Sequence, residues 1–432
     1  MIGLTTLLAI GWLLSEKRRS IQWALVFKGL LLQLILALLI LKVPAFAEAF
    51  KWMSSAFVKV ISFTNYGTDF LMSSFAPPED LPEGEYTKGT THWTLINFAF
   101  RILPTIIFFS ALTALLYYLN VLQKFVYAFA WLMKRTLKLS GAESLAAAGN
   151  IFLGQTESPL LVRPYLGKMT RSELMCLMTG GMATIAGGVL ASYIGFLGGA
   201  DKAQQVLFAQ HLLTASLMSA PAAVVAAKLL VPEVDDFNTE MKLDKTKMGD
   251  NVLEAVANGT TDGLKLAVNV GAMLLVFTAF IYFINYILGD WLGQATGLND
   301  LIARHTPYNK FSMQFIVGYA FAPIAWLLGV PSADVLLVGQ LLGEKTILNE
   351  FYAYVTMGQA KAAGAFTTQK ALIMSTYMLC GFANFASIGI QIGGIGALVP
   401  ERRGLLSSLG VKALIGGTLA SLFTAVLVGM FM

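Results

Sequence analysis

Apolar residues in this chain neither alternate as in a half-buried strand nor recur as a single helical stripe. They run on, over residues 2–14, 21–41, 98–119, 206–230, 264–291 and 405–432. Most of these runs are close to the ~20 residues with which a helix crosses a hydrocarbon core about 30 Å thick. The first run has the length of a signal-peptide core, but no small-residue cleavage site follows it and its basic residues come after rather than before, so it is read as a first membrane helix. Composition agrees: 56% of the 432 residues are hydrophobic and 13% charged, against about 25% charged in an ordinary globular domain. The expected fold is therefore an all-α polytopic membrane protein. Cys176 and Cys380 both lie inside apolar segments, and no disulfide framework is expected.

Lysine and arginine fix the threading. Basic groups stand at residues 17–19, 134–138, 242–247 and 402–403, and one threading puts all of them in the cytoplasm with both termini outside. The acidic stretch "APPEDLPEGEY", residues 76–86, then falls outside. The net charge of +5 needs no nucleic acid as partner, because a basic face beside anionic lipid accounts for it.

Two segments do not thread. Between Lys138 and the basic group Arg163, Lys168 and Arg171 the chain leaves and returns to one side in arms too short to span, with Gly154, Gln155, Thr156 and Glu157 at the middle. This is the pattern of a re-entrant helical hairpin. A second is expected from residues 311–328 and 333–348 around the turn Gly329-Val330-Pro331-Ser332, entering from the opposite side. Hairpins of opposite orientation in corresponding positions suggest an inverted repeat, whose substrate site lies near the midplane.

Non-helical backbone at that depth must line a cavity or be buried by protein, so the hairpin tip has something to bind. Gln155 and Thr156 offer amide and hydroxyl groups, or else they only cap two half-helices. An ionisable Glu157 at that depth favours function. In the second half Glu350 lies within "GEKTILNEFYAY", and Asn384 and Ser387 within "GFANFASIGIQIGG", three apart and hence on one helix face beside Phe382 and Phe385. Amides and carboxylates among rings suit a flat, polar, uncharged ligand such as a base on a sugar. Helix packing is the alternative for either phenylalanine, and an ion pair with Glu344 is expected for Lys345.

"GQTESPLLVRPYL", "GEKTILNEFYAY", "GFANFASIGIQIGG" and "NGTTDGLKLAVNVGAML", in that order, resemble the concentrative nucleoside transporters of the bacterial, sodium-coupled type. The resemblance implies eight membrane helices, two re-entrant hairpins, interfacial helices and a homotrimer. It also implies import of nucleosides such as uridine across the inner membrane with Na+, by an elevator motion and without enzymatic chemistry. Residues 1–135 would be scaffold with trimer contacts shared by 262–291, residues 136–230 and 311–432 the two transport halves, and 231–291 an interfacial helix and a scaffold helix. Gln155 and Thr156 would bind the base with Glu157 close behind, Val189 and Leu266 would form an apolar wall, Glu350 and Asn384 would hold the ribose, and Ser387 and Phe382 would complete the pocket. The sodium ligands would be the Asn150 side chain, the Leu153 carbonyl, Thr184 and the Ile185 carbonyl.

The residues themselves also admit that cation site. Gly180 to Gly188 should unwind readily and free carbonyl oxygens for a hard cation, or it only permits close helix packing. A proton carried on Glu157 or Glu350 is the other coupling ion to consider, and another small polar solute the other cargo. A pore would not need paired broken hairpins, and an intramembrane enzyme would need a catalytic constellation that is not visible. His92, His211 and His305 lack metal-ligand spacing, Asp334 is expected as a helix cap, and Trp291 and Trp326 belong near interfaces. Amphipathic interfacial helices are expected after the loop starting at Pro232 and around Lys51 and Trp52.

Overall fold

The computed structural model describes residues 2–72, 102–199, 201–241 and 249–432. The acidic stretch at 76–86, His92 and the basic residues 242–247 lie outside the described residues. Every described regular element is helical. The first part comprises α1 (Ile2–Leu13), α2 (Trp23–Lys42), α3 (Pro44–Met72), α4 (Leu103–Tyr118) and α5 (Val121–Leu137). Next come α6 (Gly141–Gly149), the short α7 (Ser158–Leu161), α8 (Arg171–Ala183), α9 (Gly187–Gly198) and α10 (Lys202–Leu230). The long α11 (Val252–Asn285) continues into a π-helical segment, Tyr286–Gly293. The chain closes with α12 (Leu298–His305), α13 (Met313–Leu327), α14 (Val335–Ile347), α15 (Glu350–Ala362), α16 (Gln369–Leu379), α17 (Phe385–Leu398) and α18 (Arg403–Gly429).

Five helical units are long and apolar enough to cross a membrane: α2, α8 with α9, α10, α11 with its continuation, and α18. The other three expected spans fall short for identifiable reasons. The 12 residues of α1 reach only about 18 Å, the described part of α4 has 16 residues and ends at a 77° bend into α5, and α16 and α17 are separated by a break. The bend sets residues 121–137 off as a separate helix. With Leu122, Val126, Ala130, Met133 and Leu137 buried at intervals of three and four, α5 is an amphipathic helix, and Lys134 and Arg135 sit on its last turn. The described part of the loop after Pro232 is irregular. Trp52 lies on α3, and it, Trp291 and Trp326 are all exposed.

Glycine spacing sets the closest helix contact. Gly259 and Gly263 let α11 lie against α4 so tightly that a Cβ at either would sit within 3.0 Å of backbone around Ser110 and Ile107. Small residues play this part where lipid supplies no hydrophobic drive between helices. Meanwhile α10, the most buried span, packs against α18, and both lie on α8 and α16.

The basic groups gather at one end of the molecule. Arg171 pairs with Glu16 at 2.7 Å, Lys412 joins the same carboxylate, Lys134 reaches the Thr239 carbonyl and Arg402 the Gly167 carbonyl. At the other end Gly3 abuts Leu327 and Val426, beside the turn at Gly329. Capping boxes at Ser140 with Glu143 and at Thr170 with Glu173 start α6 and α8, satisfying backbone donors that would otherwise be buried unpaired. Lys228 pairs with Glu143 and Glu233, tying the start of α6 to the end of α10.

Two expectations for single side chains are corrected. Asp334 does not cap the helix that follows it. It is fully buried and accepts from Thr367 N, Thr368 N and Thr368 Oγ1 at 2.6–3.0 Å, so it clamps the loop before α16. Glu344 and Lys345 do not pair. Successive helical side chains diverge by about 100°, and Lys345 Nζ donates hydrogen bonds to the Met378 carbonyl and the Ser421 hydroxyl.

Candidate functional site

Four interruptions of helix converge. The first, residues 150–157 between α6 and α7, is held by Ser216 Oγ donating to the Ile151 carbonyl at 2.7 Å. The second, residues 184–186, splits α8 from α9, and Gly187 N donates to the Phe152 carbonyl across the gap. The third is Leu348 and Asn349 between α14 and α15, where the Asn349 side chain caps α15 through Tyr352 N. The fourth, residues 380–384, splits α16 from α17. The second and fourth touch: Gly381 has φ +113°, and a Cβ there would sit 2.8 Å from the Ala183 backbone. Only glycine satisfies both the dihedral and the approach.

The two arms expected around Gly329 exist as α13 and α14, packed together. The polar interruption that carries the chemistry lies one junction later, at Leu348–Asn349. Gly329 and Pro331 dominate the local pattern because they build a tight turn, whereas the Leu348–Asn349 break needs only one capping asparagine.

Gln155 and Thr156 do not cap helices. Gln155 Nε2 donates to Ser387 Oγ at 3.2 Å, and Gln155 Oε1 accepts from Gln391 Nε2 at 3.2 Å. Gln391 is anchored in turn on the Met178 carbonyl. Gly181 makes the room, since a Cβ there would meet both glutamines. Thr156 is exposed beside Gly394. Glu157 accepts Gly154 N at 3.1 Å and so closes its own turn.

Glu350 opens α15 and is 3% exposed. Its two oxygens accept from Asn384 Nδ2 at 2.6 Å and Tyr193 OH at 3.2 Å. Asn384 uses its other atom, Oδ1, to cap α17 through Ser387 N. Val189 is buried on α9, Phe382 is half-buried beside Asn384, and Phe385 points outward at 56% exposure. Leu266 stands apart on the outer side of α11, 39% exposed.

Asn150, Leu153, Thr184 and Ile185 are all buried at the first and second breaks. Thr184 Oγ1 donates to the Gly180 carbonyl at 2.8 Å, leaving its lone pairs available. Asn150 is fully buried, yet neither atom of its amide has a hydrogen-bond partner. A buried amide unpartnered at both ends costs about 1–3 kcal/mol. Its oxygen, with carbonyls freed at two helix ends, is the donor set a hard monovalent cation takes.

Sequence reasoning missed two members of this network. Gln391 lies four residues after Ser387 and seven after Asn384, on the same helical face, so the spacing would have found it. Tyr193, stacked on Tyr354 at 4.1 Å, carries no signal in an apolar run. His211 is structural, as expected, with Nδ1 3.1 Å from Tyr377 OH.

Broken helices that meet back to back inside a polytopic helical bundle, presenting amides, a carboxylate and an uncommitted asparagine, define a carrier-type membrane protein. The comparisons name the family. Models described as Na+ dependent nucleoside transporter N-terminus, nucleoside recognition, and Na+ dependent nucleoside transporter C-terminus match residues 2–75, 99–200 and 211–429. The chain is 39% identical to the uncharacterized transporter YutK of Bacillus subtilis, covering 100% of this chain and 98% of the relative. It is likewise 39% identical to sodium/nucleoside cotransporter 1 of Rattus norvegicus, covering 99% of this chain and 62% of that one. Among solved structures it resembles CNTnw in an inward-facing substrate-bound state, at TM-score 0.87 and 36% identity over 100% of this chain and 96% of that one. The protein belongs to the concentrative nucleoside transporter family; it is a transporter and not an enzyme.

Proposed function

We propose that this protein imports nucleosides such as uridine into the cell across the inner, or plasma, membrane, each with Na+. The observation that carries the reading is the way two hydrogen-bonded bridges, Gln155 to Ser387 and Tyr193 to Glu350, join the first and second halves of the chain, with Asn384 donating to the same Glu350 carboxylate. Gln155 and Thr156, with Glu157 behind, address the base edge through amide and hydroxyl groups. Glu350 and Asn384 address the ribose hydroxyls, with Ser387 in support. Val189 and Phe382 form the apolar wall, which Leu266 would complete from the side of α11.

The cation fits the residues present. The Asn150 amide, the carbonyls of Leu153 and Ile185 and the Thr184 oxygen would hold it, and it supplies the charge whose gradient drives uptake. Because Asn150 and Gln155 share one break, ordering by the ion favours the nucleoside and the reverse holds by the same factor. The two hairpins, related as an inverted repeat, move with α8–α10 and α16–α18 as an elevator against a scaffold of α1–α5 and α11. The exposed apolar face of α11, with Leu264, Val268 and Leu275, suits contacts in a homotrimer embedded in lipid.

Uridine uptake into proteoliposomes tests the reading. Replacing sodium by choline at constant pH should abolish accumulation; accumulation undiminished in choline would overturn sodium coupling, and failure of nucleosides to compete would overturn the substrate.

A further inference from the structure

One buried carboxylate takes no part in that site. Glu344, on the last turn of α14, is 2% exposed. One oxygen accepts the Gln340 amide at 2.9 Å, and the other, Oε2, has no hydrogen-bond partner. Among the described residues no lysine, arginine or histidine forms an ion pair with it, and Lys345 is committed elsewhere. The groups facing it are uncharged: Thr356 and Tyr352 from α15, and Tyr308 from the loop before α13.

An ionised carboxylate buried without a counter-charge costs several kcal/mol, and a carboxyl inside a membrane bundle is a functional group by default. A metal or sodium ion would need several oxygens converging on Oε2. The side-chain oxygen of Gln340, whose amide holds the other Glu344 oxygen, is turned to Tyr308 OH at 3.4 Å. A single uncommitted oxygen suits a single O–H. The position is also apt, because the Glu344 carbonyl accepts Leu348 N, the last amide before the break that presents Glu350. A polar line runs back from the carboxyl through Gln340 to half-buried Tyr308, in a loop where Asn309 and Lys310 are exposed.

We propose that Glu344 is a proton-binding site of this carrier, separate from the cation ligands around Asn150. Water on one side gives the carboxylate a proton; the neutral acid crosses with the hairpin; the proton returns to water on the other side. The proposal rests on the nucleoside reading, and its test separates the two. In proteoliposomes with sodium outside and a pH dye trapped inside, uridine should drive proton entry at a ratio of about one per uridine, and uptake should rise as the outer pH falls. In Glu344→Gln, which keeps the shape and the Gln340 contact, whatever uridine uptake remains should carry no protons and show no such pH response. Sodium-driven uridine uptake without proton entry in the unaltered protein would overturn this proposal alone, whereas absence of any uridine uptake would overturn the nucleoside reading. Should Glu344→Gln fail to fold, Glu344→Asp serves: a shifted pH response supports the site, and an unshifted one refutes it.

Discussion

The first and third breaks have the same place in the two halves of the chain but are built in opposite ways. Residues 150–157 leave a long interruption followed by a four-residue helix, with Asn150 unpartnered and Thr156 exposed. At Leu348–Asn349 only two residues separate two helices of 13 residues each, and the chemistry there is already satisfied by protein: Glu350 by Asn384 and Tyr193, Asn349 by α15. One break therefore stores unspent hydrogen-bonding capacity for a ligand, and the other is preorganised. Substitutions in the two should behave differently.

The largest effect is expected at Glu350. Glu350→Ala strands the Asn384 amide and the Tyr193 hydroxyl in a dry site, and losing interactions to a buried charge at about 3 kcal/mol lowers uridine uptake about 100-fold. Initial uptake rates and uridine binding to the purified protein would measure it; near-normal values would remove the contrast. Asn150→Ala should instead raise the sodium concentration for half-maximal uptake by about 10-fold or more while leaving stability in sodium-free buffer unchanged or higher, since it deletes an unpaired buried amide. Thermal melting with and without sodium reads both halves of that expectation, and a large loss of stability without sodium would show that Asn150 is not held in reserve.

A smaller change follows at Gln391→Leu, which removes the brace on Gln155 but touches neither Glu350 nor Asn384. About 1 kcal/mol, or roughly fivefold in uridine affinity, is expected, with sodium affinity altered less. The smallest is at the basic end, far from both breaks. Arg171 and Lys412 hold the Glu16 carboxyl down to about 2. A depressed folded value means its contribution is present above the ordinary carboxylate range and is lost as pH falls toward 2. Because the partners are about one-third exposed, Glu16→Gln should cost only about 0.5–1 kcal/mol, seen as a small lowering of the melting temperature near neutral pH with transport intact.

How far the site was legible depended on whether each signal was local. Gln155, Glu157, Glu350 and Asn384 stood out because polar groups in apolar runs demand a reason wherever they fold. Gln391 was equally readable from its spacing to Ser387 and Asn384. Tyr193 was not, because a tyrosine in an apolar helix declares nothing until Glu350 is known to face it. The Gly329–Pro331 turn drew attention from the break at Leu348 because turn residues speak more loudly than a helix cap. Glu344 and Lys345 looked paired only because they are adjacent in sequence.

The solvent of this protein, its helical class and the places where helices must break are properties of the chain alone: burying backbone in hydrocarbon requires helix, and polar clusters cannot stay in one that faces lipid. Which broken ends meet, which amide is spent and which is left free depend on residues hundreds of positions apart, such as Gly381 against Ala183 and Gln155 against Ser387. Hydrogen bonds act over about 3 Å, so only packing in three dimensions could decide them.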